Sequence, residues 1–407
     1  MGYTKSAIKG VSWMTVLQTI IRVLTFFKIA VLARVFTPTQ FGVYGIAALI
    51  LALLEIMTET GINVILIQSK EAIEKYLDSA WVASILRGIL ICLGILISAP
   101  FIARFFNSPQ SLGIIIMISL APLIKGFINP AEIIFQKELK FKTELLFRTY
   151  IYLTDAIASI FFALVTHSVY SLVSGLIAAA IVEVILSFVL IEIKPKLRFD
   201  SNYLWEIFHK GKWVTGFSIL NYFGENGDNI VVGKLLGTTP LGIYQMAYRL
   251  SITPITEISD VVNKVIFPIY SKIENDRKRL LSAFRKTLSV NSVGTILLGL
   301  AMLIFPKEII AIILGSQWIG AANVLRVLAL FGIVRAFLSP ASVVLLATGN
   351  QKYLTLITFI RLLALMIVIF PMVHSFGIIG AGYSQLFSAL ISFPVIIFTL
   401  YKVFKKQ

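Results

Sequence analysis

Twelve stretches of this chain are each long and apolar enough to cross a lipid bilayer, which needs about 20 mostly apolar residues per helix. They run roughly over 12–33, 42–67, 81–103, 112–135, 149–166, 170–192, 213–233, 241–268, 287–305, 321–347, 353–373 and 377–401. The segment 213–233 is the least apolar, because it holds Glu225, Asn226 and Asp228. Only 14% of the 407 residues are charged and 58% are hydrophobic, whereas soluble domains run near 25% charged. The expected fold is an all-α membrane protein of about 12 transmembrane helices.

The loops set an orientation. With a cytoplasmic N-terminus, the inside segments hold 23 Lys and Arg against 4 outside. That bias places both termini in the cytoplasm and the chain in the plasma or inner membrane. It also accounts for most of the formal net charge of +16 without nucleic acid as a partner. The single Cys92 forms no internal disulfide.

The chain echoes itself. At an offset of 200, Trp13, Thr15, Val31, Thr39, Gly42, Tyr44 and Ala47 meet the same residue types at 213, 215, 231, 239, 242, 244 and 247, and Arg34 meets Lys234. At an offset of 210, Lys125 to Pro130 matches Arg335 to Pro340, each with a cation five residues before a proline. Duplication gives an N-terminal lobe over 1–193, a basic cytoplasmic linker over 194–212 and a C-terminal lobe over 213–407. Six spans per lobe give both halves the same topology, related by an axis along the membrane normal around a central cavity.

Nine cations remain inside the spans: Arg22, Lys28, Arg87, Lys125, Arg249, Lys264, Arg326, Arg335 and Arg361. A charge at bilayer depth costs several kcal/mol unless it faces a polar cavity or a partner. Lys264 and Arg361 are expected at the cytoplasmic interface. The other seven are candidates for lining a cavity that receives an anion, with interhelical pairing or snorkelling as the alternative for each. Polar stripes at helical spacing support this: Thr15, Gln18, Arg22 and Thr25 in the first span, and Arg249, Thr253, Thr256 and Asp260 in the eighth. Asn221, Glu225 and Asp228 share one face of the seventh. Two readings of the acids stay open. Lys28 pairs with Glu225 or Asp228 across the cleft in one state, or these acids, with Asp155 and Glu183, bind H⁺ or Na⁺ as the coupling ion.

The runs FQKELKFKTE (135–144), LRFD (197–200), NGDNIVVGKLLGTTPLGIYQMAYRL (226–250) and VIFPIYSKI (265–273) resemble the polysaccharide transporters of the MOP superfamily, which flip lipid-linked oligosaccharides such as O-antigen units. The resemblance implies a MATE-like, V-shaped bundle of two six-helix lobes. Its passenger would be a polyprenyl-pyrophosphate-linked oligosaccharide, turned to the outer leaflet for polysaccharide biosynthesis. Membrane lipids and a polysaccharide polymerase or assembly proteins would be its partners. Two siblings stay as alternatives: a multidrug or cation antiporter, against which the buried cations argue, and a lipid II flippase. An enzyme is not expected. His167, His209 and His374 are scattered, no Walker-type glycine loop is present, and no metal or cofactor is called for.

Overall fold

In the computed structural model, which describes residues 2–58, 74–138, 140–198 and 201–405, every regular element among the described residues is helical. It divides into two compact units, Met1–Tyr222 and Phe223–Gln407. The division falls inside a helix rather than at 194–212. That stretch is only partly a linker, since its residues from 201 onward are already helical.

The first unit contains α1 (Gly2–Val35), α2 (Pro38–Met57), α3 (Glu74–Phe105), α4 (Leu112–Ile118), α5 (Leu120–Lys125), α6 (Ile134–Lys137), α7 (Phe141–Thr166) and α8 (Tyr170–Val189). Helix α9 (Ser201–Leu236) leads into the second unit. There follow α10 (Thr238–Lys272), α11 (Arg277–Ile304), α12 (Pro306–Ile313), α13 (Ala322–Ala347) and α14 (Gln351–Lys405). Eight helices are long and apolar enough to span a membrane. One of them, α14, loses helical geometry at Gly377 (φ 59°, ψ −139°). There the chain turns back sharply, because a Cβ on Gly380 would collide with the Met372 carbonyl, which an unbroken helix would hold about 12 Å away. Counting α14 as two, and adding α9, α10 and the broken helix through 109–125, gives the twelve segments expected among the described residues.

One expectation needs correction. The span 112–135 is not one helix. It stops at Lys125, turns, and resumes as a 3-10 turn over Pro130–Ile133. Asn129 explains the break: its side chain accepts the Ala131 amide and donates to the Ile193 carbonyl at 2.8 Å, satisfying groups a helix would use internally. The matching Arg335 to Pro340 run stays inside the continuous α13. There the equivalents of Gly126 and Asn129 are Ala336 and Ser339, which compete less with the helical ladder. Helix α12, of two turns, lies between the spans read over 287–305 and 321–347.

The helices are amphipathic in the inverse sense. On α11 the face made by Thr287, Asn291, Thr295 and Gly299 is buried, while Val290, Val293, Leu297 and Ile304 are exposed. Hydrocarbon outside removes the hydrophobic drive between helices, so small residues and hydrogen bonds hold them. Asn291 accordingly donates to the Ala336 carbonyl at 2.7 Å, joining α11 to α13. Helix α13 is the centre of the second unit, packed by α10, α11 and α14. In the first unit α7 lies against α1 and α8. The α7–α8 approach is close: a Cβ on Gly175 would collide with Ser159 Oγ and sit 2.7 Å from the Asp155 carbonyl. Gly175→Val is therefore expected to destabilise the protein by about 1–3 kcal/mol. A lowered melting temperature in detergent would register it, and an unchanged one would show that α7 and α8 can part there.

Candidate functional site

In the second unit, α9, α10, α13 and α14 enclose a cavity of about 550 Å³. About half of its wall is polar, with Glu225, Tyr248, Thr253, Thr256, Asp260, Asn263, Arg335, Ser339, Ser342 and Arg361 contributing. Asn263 donates to Ser339 Oγ at 2.6 Å, tying α10 to α13. At its heart two guanidiniums share one carboxylate. Arg335 grips Glu225 with both branches, Nη2 to Oε1 at 2.9 Å and Nη1 to Oε2 at 3.1 Å. Arg361 Nη2 stands 3.7 Å from the same Oε1, and Tyr248 donates to Oε2 at 3.5 Å. Two guanidiniums thus share one carboxylate. Asp260 lies about 18 Å from Tyr248 along α10, whereas Asp228, one turn from Glu225, brings a second carboxylate close to the cluster. Arg335 and Arg361 sit about 18 and 15 Å from the helix ends that meet at the α13–α14 turn. That is near the middle of a hydrocarbon core of about 30 Å.

One turn beyond Glu225, Asp228 is fully buried. It accepts from Tyr244 Oη at 2.6 Å, Gln385 Nε2 at 2.7 Å, and the Asn229 amide and side chain at 2.7 and 3.0 Å. No cation is within ion-pair distance among the described residues. Two acceptors in this nest, Gln385 Oε1 and Asn229 Oδ1, are buried and have no hydrogen-bond partner.

In the first unit, Lys28 bonds Asp155 at 2.5 Å, and Ser159 also donates to that carboxylate. In this structure Lys28 takes its partner from α7 within its own unit. A second centre joins three elements: Arg148 reaches Glu183 at 2.7 Å and Glu132 at 3.1 Å. Arg87 bonds the Glu55 carbonyl at 2.7 Å and Thr58 Oγ1 at 3.1 Å, closing the end of α2. Arg326 is exposed and does the same for α11 through the Leu303 carbonyl at 3.2 Å. Arg22 and Lys125 are half-buried in the first unit, and Arg249 is exposed on α10 outside the cavity lining.

Of the candidates, Arg335 and Glu225 come together in the cavity, with Thr253, Thr256 and Asp260 of the polar stripe. Arg361, expected at the cytoplasmic interface, belongs to the same cluster. Its place eight residues into a span was the available signal. Gln385 was also missed, although Ser384, Ser388 and Ser392 mark its helix with a polar stripe at helical spacing. Arg148, one residue before the span read over 149–166, sits inside α7. Glu59 lies outside the described residues.

The family described as "Polysaccharide biosynthesis protein" matches residues 31–323. The chain is 26% identical over 363 residues to the lipopolysaccharide biosynthesis protein WzxC of Escherichia coli (strain K12), covering 86% of this chain and 72% of that protein. It is 24% identical over 352 residues to the teichuronic acid biosynthesis protein TuaB of Bacillus subtilis (strain 168), covering 85% and 72%. Among solved structures it resembles the lipid II flippase MurJ in an inward closed conformation, with a TM-score of 0.78 at 18% identity over 96% of this chain and 88% of that one. An inward-facing multidrug resistance MATE family transporter of the MOP superfamily gives 0.64 at 13% identity over 97% and 98%. At such identities these two likenesses speak to the fold, which is the MATE-like helical fold expected.

Proposed function

We propose that this chain, which belongs to the polysaccharide biosynthesis protein family, is a flippase that turns a polyprenyl-pyrophosphate-linked oligosaccharide from the cytoplasmic to the outer leaflet. The observation that carries this reading is the cavity of the second unit, where Arg335 and Arg361 share Glu225. A polar head crossing hydrocarbon needs its hydration replaced. Guanidinium forks replace water around phosphate oxygens, and hydroxyls and amides do so around sugars. About 550 Å³ falls within the 300–1,000 Å³ typical of ligand pockets, enough for a head group while the lipid tail stays in the bilayer. An incoming phosphate competes with Glu225 for the two guanidiniums, so the carboxylate holds the site in its empty state. An organic cation would meet the two guanidiniums at the same place, which favours the anionic passenger over a cationic drug. A lipid II head group shares the phosphate chemistry and differs in its glycan.

Coupling to H⁺ or Na⁺ is part of the proposal. Asp228 offers a buried carboxylate, and Gln385 and Asn229, whose amide nitrogens donate to it, each carry an unpartnered side-chain oxygen that a hard cation would take once those amides turn. Residence in the plasma or inner membrane with cytoplasmic termini rests on the distribution of basic residues. A polysaccharide polymerase or assembly proteins would receive the product.

The test is flipping of a fluorescent lipid-pyrophosphate oligosaccharide in proteoliposomes, with and without an H⁺ or Na⁺ gradient. Flipping that depends on a gradient supports both parts. Gradient-independent flipping removes the coupling and keeps the passenger. Export of an organic cation with no flipping would move the chain to the drug-antiporter branch.

A further inference from the structure

We infer that a second cavity in the second unit, whose lining residues Thr348 and Tyr353 neighbour Leu346 and Leu354 of the first, holds the phosphate of an anionic phospholipid. It measures about 390 Å³. It forms where the α10–α11 turn, the α13–α14 turn and the last turns of α14 meet. Arg277 and Lys402 line it together with Tyr353, Asn350 and one acid, Glu274. Lys352 and Lys402 place their ammoniums 5.5 and 5.8 Å from the centre of the same Tyr353 ring. None of the three cations forms an ion pair with a described residue. Asp276, the other acid nearby, is occupied: it caps α11 through the Arg279 amide and pairs with the Arg279 side chain at 3.3 Å. Arg277 and Lys402 against Glu274 leave the lining with one positive charge in excess, and Lys352 adds another beside it on the Tyr353 ring.

The frame is rigid. Leu280 and Val403, both in the lining, pack in the cluster built on Tyr270, Val343 and Val344. The surroundings decide between a lipid and a free phosphate. Phe398 is 62% exposed and lies one turn before Lys402 on the same face of α14; Ile397 is equally exposed beside it. An apolar strip therefore runs along one helix directly to a cationic cavity. Acyl chains use such a strip, and inorganic phosphate gains nothing from it. Basic clusters at helix ends attract anionic lipid heads, and enclosure with a fixed floor turns that attraction into a site.

The full chain should be melted in neutral phosphatidylcholine with phosphatidylglycerol or inorganic phosphate added. The comparison is with Lys402→Gln and with Arg277→Gln combined with Lys402→Gln. Phosphatidylglycerol is expected to raise the wild-type melting temperature by roughly 5 °C. About half of that should be lost in the single variant and nearly all in the double. Both side chains reach solvent, so the variants should melt like wild type in phosphatidylcholine alone. Should the double variant fail to fold, the single variant carries the comparison. An equal rise in wild type and Lys402→Gln overturns the proposal, and so does an equal rise with inorganic phosphate, which would make this a soluble-anion site.

Discussion

Arg335→Gln should slow flipping of a lipid-pyrophosphate oligosaccharide by about 10- to 100-fold, with little loss of folded protein. Arg335 makes both branches of the fork on Glu225, and the same fork is what a phosphate would take. Hydrogen bonds to a charged group contribute about 1.5–3 kcal/mol, and each 1.4 kcal/mol is about tenfold. Stability suffers less than for a dry ion pair, because the Glu225 side chain is 42% exposed to the cavity and Arg361 stands ready to take it over. Arg335→Lys keeps the charge but loses the planar fork, so it should recover only part of the rate. Glu225→Gln acts in the other direction. It frees both guanidiniums from their carboxylate, so the passenger binds more tightly and leaves more slowly, lowering KM and kcat together. Initial rates in proteoliposomes against passenger concentration separate the two patterns. Wild-type flipping by Arg335→Gln would reduce the Arg335–Glu225 pair to a helix fastener.

Hydropathy made the outline of this fold legible and was weakest where function concentrates. The breaks before Tyr170 and at Gly377 were visible as the ends of apolar runs. The break after Lys125 was not, because it depends on where the Asn129 side chain finds partners, and hydropathy does not register that. Helices α9 and α10 are absent from the eight that qualify as spans by apolarity. They are also the helices that supply Glu225, Asp228, Tyr248 and Asp260. A helix that lines a polar cavity must give up apolar residues to do so, so the same substitutions that build the site erase its signal as a span. Charge alone was likewise ambiguous. It picked out Arg335, but equally Arg87 and Arg326, whose guanidiniums close helix ends. An intramembrane arginine has two ways to satisfy its donors, a carbonyl at a helix terminus or a carboxylate across a cavity, and spacing along one helix does not distinguish them.

Asp228→Ala is expected to cost about 3–5 kcal/mol, the range for removing one partner of a buried charged network, and to lower the melting temperature by roughly 6–15 °C. The carboxylate is fully buried and receives hydrogen bonds from α10 through Tyr244 and from α14 through Gln385. Alanine would strand those donors in a place water does not reach, and unmade buried bonds are expensive. Tyr244→Phe removes one donor and leaves the acceptor satisfied, so it should cost only about 1–3 kcal/mol. Asp228→Asn separates stability from coupling. It keeps the shape and one acceptor oxygen, so the helices stay joined, but it abolishes the charge that a cation would need. If Asp228 holds the coupling ion, Asp228→Asn melts near wild type while its flipping no longer responds to an H⁺ or Na⁺ gradient. If the residue only fastens α9 to α10 and α14, gradient response in the Asn variant follows wild type, and any loss of rate tracks the loss of folded protein. A melting temperature unchanged in Asp228→Ala would contradict both roles, because a carboxylate with these partners cannot be removed from a dry core without consequence.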